Sequence, residues 1–340
     1  MKTTMIIGAG ASSEVGLPTG WELKDQIIEC LSQRTEDRRT TFTGDGKIRD
    51  AFEDLARSEP GYNQVFEYIR TARDLTNAIS LAPSIDNYLH THSLDSRVQA
   101  CGKLAIASCI LSAEKKSKLA SESQVLPYLR QISETWLGAL FSLLVEAGTL
   151  DSFVTRLERI RFIVFNYDRC LEHFLHSALR VYFKCSEDEA KQALSGLDLC
   201  HPYGTVGSLP WQEQSPTVNF GGLEYWDSLW NVATQIQTFT EQVEGGTRDI
   251  LRQMIEDADQ LIFLGFAFHD LNIDLICPTD GDKASRRVYA SAYGISEPNS
   301  KQIVNMLDDR GFSDTRKTTL ETGLKAKALI QAYSRYLEFA

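Results

Sequence analysis

The chain opens with a short apolar stretch that stops at two closely spaced glycines. Residues 5–7 have the composition of a buried β-strand, and Gly8 and Gly10 follow at once. A strand, a glycine turn and a helix together leave backbone N–H groups free to bind a diphosphate. The common dinucleotide motif has a third glycine where this chain has Ser13. The glycines therefore predict a nucleotide site, but alone they also fit a tight strand–helix turn without a ligand.

A helix is predicted just after this turn. Thr19 and Glu22 have the spacing of a capping box, in which two side chains and two backbone N–H groups bond reciprocally at a helix start. Apolar residues then recur on one helical face, at Leu23, Ile27, Ile28 and Leu31. The amino-terminal segment is therefore typical of the first strand–turn–helix unit of an α/β domain.

Strand patterns recur along the chain, and each is followed by a turn or helix pattern. They lie near residues 4–7, 161–165, 261–264 and 287–292. This alternation predicts an α/β fold with a Rossmann-like, doubly wound parallel sheet. The long interval between the first two strands is helical in character, which predicts a large helical insertion.

The predicted organisation has three parts. Residues 1–34 and 156–310 form the Rossmann-like core, and residues 35–155 form the helical insertion. Residues 311–340 are predicted to form a C-terminal helix, because apolar residues between 320 and 337 recur on or near one face.

Composition and charge exclude several classes of protein. The 340 residues are 43% hydrophobic and 24% charged, with a formal net charge of −11. This charge argues against direct nucleic-acid binding, which needs clustered Lys and Arg. No apolar stretch is long enough for a bilayer and no signal-peptide pattern is present, so we expect a cytoplasmic protein without a membrane partner. The seven cysteines form no Cys-x-x-Cys pair, so no zinc is expected.

Polar residues follow the predicted strand over 161–165. Ligands of open α/β sheets bind beyond the carboxyl ends of the strands, so Asn166 is expected to face the same crevice as the glycine turn. Its amide can hydrogen-bond a ribose hydroxyl or an attacking water. Asp168 fits either a ribose contact or the N-cap of the following helix.

His201 is one of only six histidines and begins a segment interrupted by Pro and Gly. An imidazole titrates near neutral pH, so it can remove a proton from a ribose hydroxyl or from water. The alternative is a loop histidine whose nitrogens bond the backbone.

Two further turns follow predicted strands. Gly265 allows backbone to approach the adenosine half of a dinucleotide, and Phe266 comes directly after it. Tyr293 and Gly294 follow the last predicted strand and are expected to border the adenine.

Two pairs of residues have spacings that metal ligands can have. His269 and Asp270 lack a third ligand at matching spacing, and His173 and His176 are more typical of a helix surface. No metal site is predicted.

Several short segments, taken in order, resemble one known family. They are the Gly-Ala-Gly-x-Ser turn with its later Gly-Leu-Pro (residues 8–18), Asn-Tyr-Asp (166–168), His-Pro-Tyr-Gly (201–204) and Leu-Gly-Phe (264–266). Together they resemble the sirtuin-like family. The Asn-Tyr-Asp form and Ser-Ile-Asp-Asn-Tyr-Leu at 84–89 resemble its bacterial branch, in which such domains are NAD-consuming effectors of antiphage defence.

The resemblance implies where NAD binds and reacts. It assigns catalytic roles to Asn166 and His201, and contacts with NAD to Gly8, Ala9, Gly10, Ser12, Pro18, Thr19, Asp168, Tyr203, Gly265 and Phe266. The family has His-Gly where this chain has His-Pro-Tyr-Gly, so either His201 or Tyr203 can occupy the catalytic position. A phenol titrating near about 10 is a poor base at neutral pH, which favours His201.

The expected activity is that of an NAD+ glycohydrolase, which cleaves the nicotinamide–ribose bond to give ADP-ribose and nicotinamide. NAD is the substrate, and Phe165, Tyr203 and Trp211 are candidates for an apolar wall beside the nicotinamide. Unrestrained NAD hydrolysis harms a host, so we expect control by homo-oligomerisation or by a partner. Bacterial members of the family are found with HerA-type ATPases or short Argonaute proteins, and the resemblance does not choose between them.

Two other functions fit the same residues. The chain can be a catalytically weak NAD- or ADP-ribose-binding scaffold subunit of a larger defence complex. A protein deacylase or ADP-ribosyltransferase is the third interpretation, and the missing cysteine pairs disfavour the deacylase.

Overall fold

A computed structural model describes residues 2–36, 39–61, 64–120, 129–146, 148–223, 228–244, 246–279 and 286–337. The chain divides into two compact units. We call the first the sheet unit, which comprises Met1–Leu17, Ser117–Pro202 and Gln242–Ala340. We call the second the helical unit, which comprises Pro18–Lys116 and Tyr203–Glu241.

The described residues contain eight strands and sixteen α-helices. The strands are β1 (Thr3–Ile7), β2 (Gln33–Glu36), β3 (Arg39–Phe42), β4 (Ile160–Val164), β5 (Asp198–Cys200), β6 (Gln260–Leu264), β7 (Arg287–Ser291) and β8 (Thr318–Glu321). The helices are α1 (Ala9–Ser12), α2 (Gly20–Cys30), α3 (Gly46–Ser58), α4 (Gln64–Ile79), α5 (Ile85–Thr91), α6 (Ser96–Lys116), α7 (Trp136–Val145), α8 (Leu150–Leu157), α9 (Cys170–Tyr182), α10 (Glu187–Ala193), α11 (Leu229–Ala233), α12 (Phe239–Glu244), α13 (Thr247–Glu256), α14 (Asp270–Ile276), α15 (Glu297–Asp309) and α16 (Ala326–Ala332).

The sheet unit is built on a six-stranded sheet in the order β5-β4-β1-β6-β7-β8. Every neighbouring pair is parallel. Counted along the chain within this sheet, the order is 3-2-1-4-5-6, which is that of the Rossmann fold. The prediction of an α/β, Rossmann-like parallel sheet with helical insertions is confirmed.

The central strand β1 and its two neighbours, β4 and β6, end at the same position along the sheet. All five of its residues are buried, and Ile7 lies opposite both Val164 and Leu264 in the parallel register. The loops after β1, β4 and β6 therefore start side by side at the carboxyl edge of the sheet. The direction in which strands are added reverses between β1 and β6, which is where ligands bind in open sheets of this kind.

The helical unit contains the first part of the predicted insertion and a short antiparallel hairpin of β2 and β3. Its first helix, α2, begins as predicted, because Thr19 and Glu22 form a complete capping box. The predicted apolar face is also present: Leu23, Ile27 and Leu31 are buried. In this unit α6 is the most buried helix, with apolar residues such as Leu104 and Ile106 fully enclosed.

The end of the chain corrects one prediction. A single helix over 311–340 is wrong, because Thr318–Glu321 pairs with β7 as the edge strand β8 and the described helix is limited to Ala326–Ala332. The four strand residues, Thr-Thr-Leu-Glu, are all half-buried and show no apolar–polar alternation, so the apolar residues beyond them dominated the pattern. Residues 338–340 lie outside the described part of the chain.

The unit boundaries also differ from the predicted organisation. Helix α2 lies in the helical unit, whereas α7 and α8 lie in the sheet unit. The reason is packing: Phe141 of α7 contacts Phe153 of α8 and Phe174 of α9, so these apolar helices cover the sheet unit's own core.

No single helix in the described ranges is both long and apolar enough to cross a membrane. Only the pair α7 and α8, bent by 118°, reaches that length and composition together.

Glu14 links the starts of two helices in the sheet unit. Its carboxylate accepts the N–H of Trp136 at 2.7 Å and the N–H of Lys327 at 3.0 Å, in the first turns of α7 and α16. We expect Glu14→Ala to lower the free energy of unfolding by about 2–3 kcal/mol, because two helix starts lose a charged acceptor. Urea denaturation measures this, with the exposed Glu158→Ala as the control. Equal losses in both variants would contradict this role.

Candidate active site

Four predicted site residues follow four neighbouring strands of the sheet unit. Gly8 follows β1, Asn166 lies two residues beyond β4, His201 follows β5 and Gly265 follows β6. Because all these strands are parallel, the four residues lie at the same carboxyl edge. The structure therefore brings together the residues that the sequence placed at one crevice.

Asn166 is held against the turn that follows β1. Its Nδ2 donates to the hydroxyl oxygen of Ser12 at 2.7 Å, and both residues are buried. The amide oxygen of Asn166 makes no hydrogen bond to any residue in the described ranges and is not fully enclosed. Asn166 thus keeps one acceptor available for a ligand or a water at this edge.

His201 lies directly beside Asn166 and is held at both ring nitrogens. Its Nδ1 is 3.0 Å from the main-chain oxygen of Asn166, and its Nε2 is 2.9 Å from Oε1 of Glu172. A carbonyl oxygen only accepts, so Nδ1 carries a proton. The imidazole therefore connects the Asn166 backbone to a buried carboxylate.

Glu172 is a site residue that the sequence analysis missed. Its side chain is 4% exposed and that of His201 is 9% exposed. Burial alone lowers the pKa of His201, but the charge and hydrogen bond of Glu172, with the Asn166 carbonyl and Asp168, outweigh it and raise that pKa. The doubly protonated imidazolium is therefore more favourable here than in an unperturbed histidine. We call Ser12, Asn166, Glu172 and His201 the edge cluster.

A sequence signal for Glu172 did exist. On α9 it shares a helical face with Leu175 and Leu179, which are fully buried. A carboxylate on an otherwise apolar face needs a partner, so its position alone pointed to a buried polar contact.

The glycines pack the turns after β1 and β6 against each other. A Cβ added at Gly8 would lie 2.6 Å from the Gly265 carbonyl oxygen, and one added at Gly10 would lie 2.9 Å from Gly265 Cα. Gly8 and Gly10 donate their N–H groups to Leu264 and Gly265. Close backbone packing therefore requires these glycines, whether or not a nucleotide binds.

One backbone donor of the turn is uncommitted. The N–H of Ala11 bonds the Gly8 carbonyl, while that of Ala9 has no partner among the described residues. The helix that starts here, α1, has only four residues and is followed by a 3₁₀ turn, and the longer helix α2 begins later, at its predicted capping box. The turn thus offers one free donor rather than a row of them.

Aromatic rings line the same edge. Phe165 follows β4, Phe266 follows β6, and their ring centroids are 5.1 Å apart. The hydroxyl of Ser291, the last residue of β7, accepts the N–H of Gly265 at 2.8 Å. Tyr293, predicted near the adenine, is 61% exposed beyond β7.

Asp168 bonds the start of α9 but is not its N-cap residue, which is Arg169. Its Oδ1 accepts the N–H of Cys170, the first residue of α9, at 3.1 Å. The predicted apolar face of that helix is confirmed by the buried residues Leu171, Phe174, Leu175 and Ala178.

The remaining predicted contacts belong to the helical unit. Pro18 is buried there, and Thr19 caps α2. Tyr203 is 2% exposed and its carbonyl accepts the N–H of Gln237. Burial and the charge of Asp86 raise the pKa of the Tyr203 phenol, which makes it a still poorer base at neutral pH.

The histidines considered as metal ligands have other surroundings. Burial lowers the pKa of His173 to about 4, so its imidazole is neutral at pH 7. His269 is exposed and precedes α14 as its N-cap residue. Across the described ranges, no group of three or more His, Cys, Asp or Glu side chains is arranged to hold a metal ion.

No protein-family model matches this chain, and no curated protein matches it.

Proposed function

We propose that the chain is an NAD+ glycohydrolase whose reacting ribose lies at the carboxyl edge beside Asn166. The observation that supports this best is the convergence of Asn166, Ser12 and His201 at the level of the glycine turn. These three residues come from distant segments, and the proposal explains why the fold brings polar groups together where the sheet reverses.

The proposed reaction breaks the bond between the ribose carbon and the nicotinamide nitrogen. Positive charge develops on the ribose as nicotinamide leaves, as in glycoside hydrolysis. Water supplies the new C–O bond, so NAD+ and water give ADP-ribose, nicotinamide and a proton. In this proposal the free amide oxygen of Asn166 binds the ribose hydroxyl or orients that water.

His201 has two proposed roles that its contacts distinguish. In the first role, both ring nitrogens keep their bonds to protein groups, so His201 orients Asn166 and does not contact a ligand. A direct proton-accepting role requires Nε2 to exchange Glu172 for a hydroxyl of the substrate. The first role needs no rearrangement.

The aromatic pair and the turn complete the proposed binding site. Phe165 and Phe266 provide an apolar surface for the nicotinamide or the sugar. The Ala9 N–H is the one backbone donor that we assign to the diphosphate.

Control by self-association or by a separate defence partner remains part of the proposal. It rests on the resemblance to antiphage effectors and on the toxicity of unrestrained NAD loss.

A binding-only scaffold is the second candidate, and one observation favours it. Both nitrogens of His201 are already bonded, so its imidazole is not presented to a ligand as a free base. An ADP-ribose-binding subunit needs no such base.

Chromatography of NAD+ incubated with the purified chain tests the proposal. We expect nicotinamide and ADP-ribose in equal amounts, at a rate per protomer that rises with protein concentration or with an added companion protein. Calorimetric binding of ADP-ribose without any loss of NAD+ under these conditions would support the scaffold and refute the hydrolase.

A further inference from the structure

We propose that Glu172 is a positioning residue that fixes the Asn166 main chain through His201. The inference rests on the proposed function, since it concerns the same site. Glu172 lies on α9 and His201 follows β5, so the link joins a helix to the loops at the sheet edge.

The link is continuous and short. Oε1 of Glu172 is 2.9 Å from Nε2 of His201, and Nδ1 of that ring is 3.0 Å from the Asn166 carbonyl oxygen. Asn166 in turn donates to Ser12 at 2.7 Å. Asn166 is thereby held at its main-chain oxygen by His201 and at its side-chain nitrogen by Ser12. These two contacts together fix the direction of its amide oxygen.

The protonation of the ring follows from its partners. Nδ1–H donates to a carbonyl, and an ionised Glu172 needs a second proton at Nε2, so the ring is an imidazolium when the link is complete. The two acidic groups near the ring are Glu172 and Asp168. The substitution Glu172→Gln removes the charge but keeps the size of the side chain.

The arrangement costs stability, which argues for a role in function. Oε2 of Glu172 is buried and has no partner in the described part of the chain. A buried carboxylate with an unpaired oxygen is unfavourable for folding. An apolar residue would fit the buried face of α9 at lower cost, so orientation of His201 is the better explanation for a carboxylate here.

The test begins with the wild-type chain labelled with ¹⁵N at His and Asn. We expect the His201 ring to titrate above about 6.5, the ordinary value for histidine. In Glu172→Gln we expect this pKa to fall and the side-chain amide resonances of Asn166 to shift. A wild-type ring that titrates below the ordinary value, or an Asn166 signal unmoved in the folded variant, would overturn the proposal. Neither readout requires turnover.

Kinetics separate positioning from a purely structural role. We expect Glu172→Gln to lower kcat for NAD+ by about 10–100-fold with KM changed by less than about twofold. The exposed Glu158→Gln in the same unit should keep wild-type rates. A folded Glu172→Gln with wild-type kcat would refute the positioning role. If the wild type consumes no NAD+, the proposed hydrolase activity is refuted but the positioning role of Glu172 is not. The NMR measurements then test that role by themselves.

Discussion

Replacing Asn166 by alanine is expected to lower the rate of NAD+ consumption by about 10²–10³-fold, the loss typical when one hydrogen-bonding group of a preorganised site is removed. The substitution deletes the uncommitted acceptor of the edge cluster that is not fully enclosed and can therefore reach a ligand. It also deletes the donor to Ser12, which costs about 1 kcal/mol of stability. The protein should therefore remain folded while its turnover is lost.

Initial rates measured by nicotinamide release, together with circular dichroism and a urea titration, test this expectation. The matched control is Asn305→Ala, an asparagine exposed on α15, which should keep the wild-type rate. An Asn166→Ala protein that hydrolyses NAD+ as fast as this control would exclude Asn166 from the reaction. The ribose-facing role would then have no residue to support it.

The fold was largely predictable because the inner strands carry strong signals. β1 and β6 are buried over all their residues, and β4 and β7 over all but one, so their apolar runs stand out in the sequence. The edge strands do not. β5 has three residues that are exposed or half-buried, and β8 is half-buried throughout. Such segments become strands only by pairing with a neighbouring strand. This pairing is a tertiary contact, which the local sequence does not reveal.

The sequence was sufficient to predict which residues come together at the site. Parallel strands end at one edge, so Asn166 and His201 had to lie near the glycine turn once the sheet was assigned. The direction of the imidazole was not predictable. Its two partners come from a helix face and from a backbone carbonyl, and neither has a spacing in the sequence that reveals the contact.

For the glycines after β1, the sequence left two interpretations open, a nucleotide site or a tight turn. Their backbone contacts explain them without a ligand, since Gly8 and Gly10 are pressed against Gly265. The case for a nucleotide therefore rests on the edge cluster rather than on the glycines themselves. Among the described residues of this turn, the N–H of Ala9 is the donor left for the proposed diphosphate.

Gly265→Ala is expected to cause the largest loss of stability of any single methyl addition at the site. Gly265 has φ +57°, and an added Cβ would lie 2.0 Å from the backbone nitrogen of Ala11 and 2.3 Å from the carbonyl carbon of Gly10. The left-handed conformation costs an alanine about 1–2 kcal/mol. Overpacking against backbone, which cannot rotate away, adds about 1–3 kcal/mol. We expect the free energy of unfolding to fall by about 2–5 kcal/mol.

Gly323→Ala is the matched control, because an added Cβ there meets nothing within 4 Å. Urea denaturation should show little change in this variant, and equal losses in both would refute the packing argument.

Thermal shifts with ADP-ribose then separate packing from binding, because a ligand raises Tm only as far as it binds the folded state. We expect the shift to shrink in Gly265→Ala, since moving the Gly10 backbone displaces the neighbouring N–H of Ala9. If ADP-ribose raises the Tm of Gly265→Ala as much as that of the wild type, the glycines serve packing alone. The diphosphate would then bind elsewhere than at this turn.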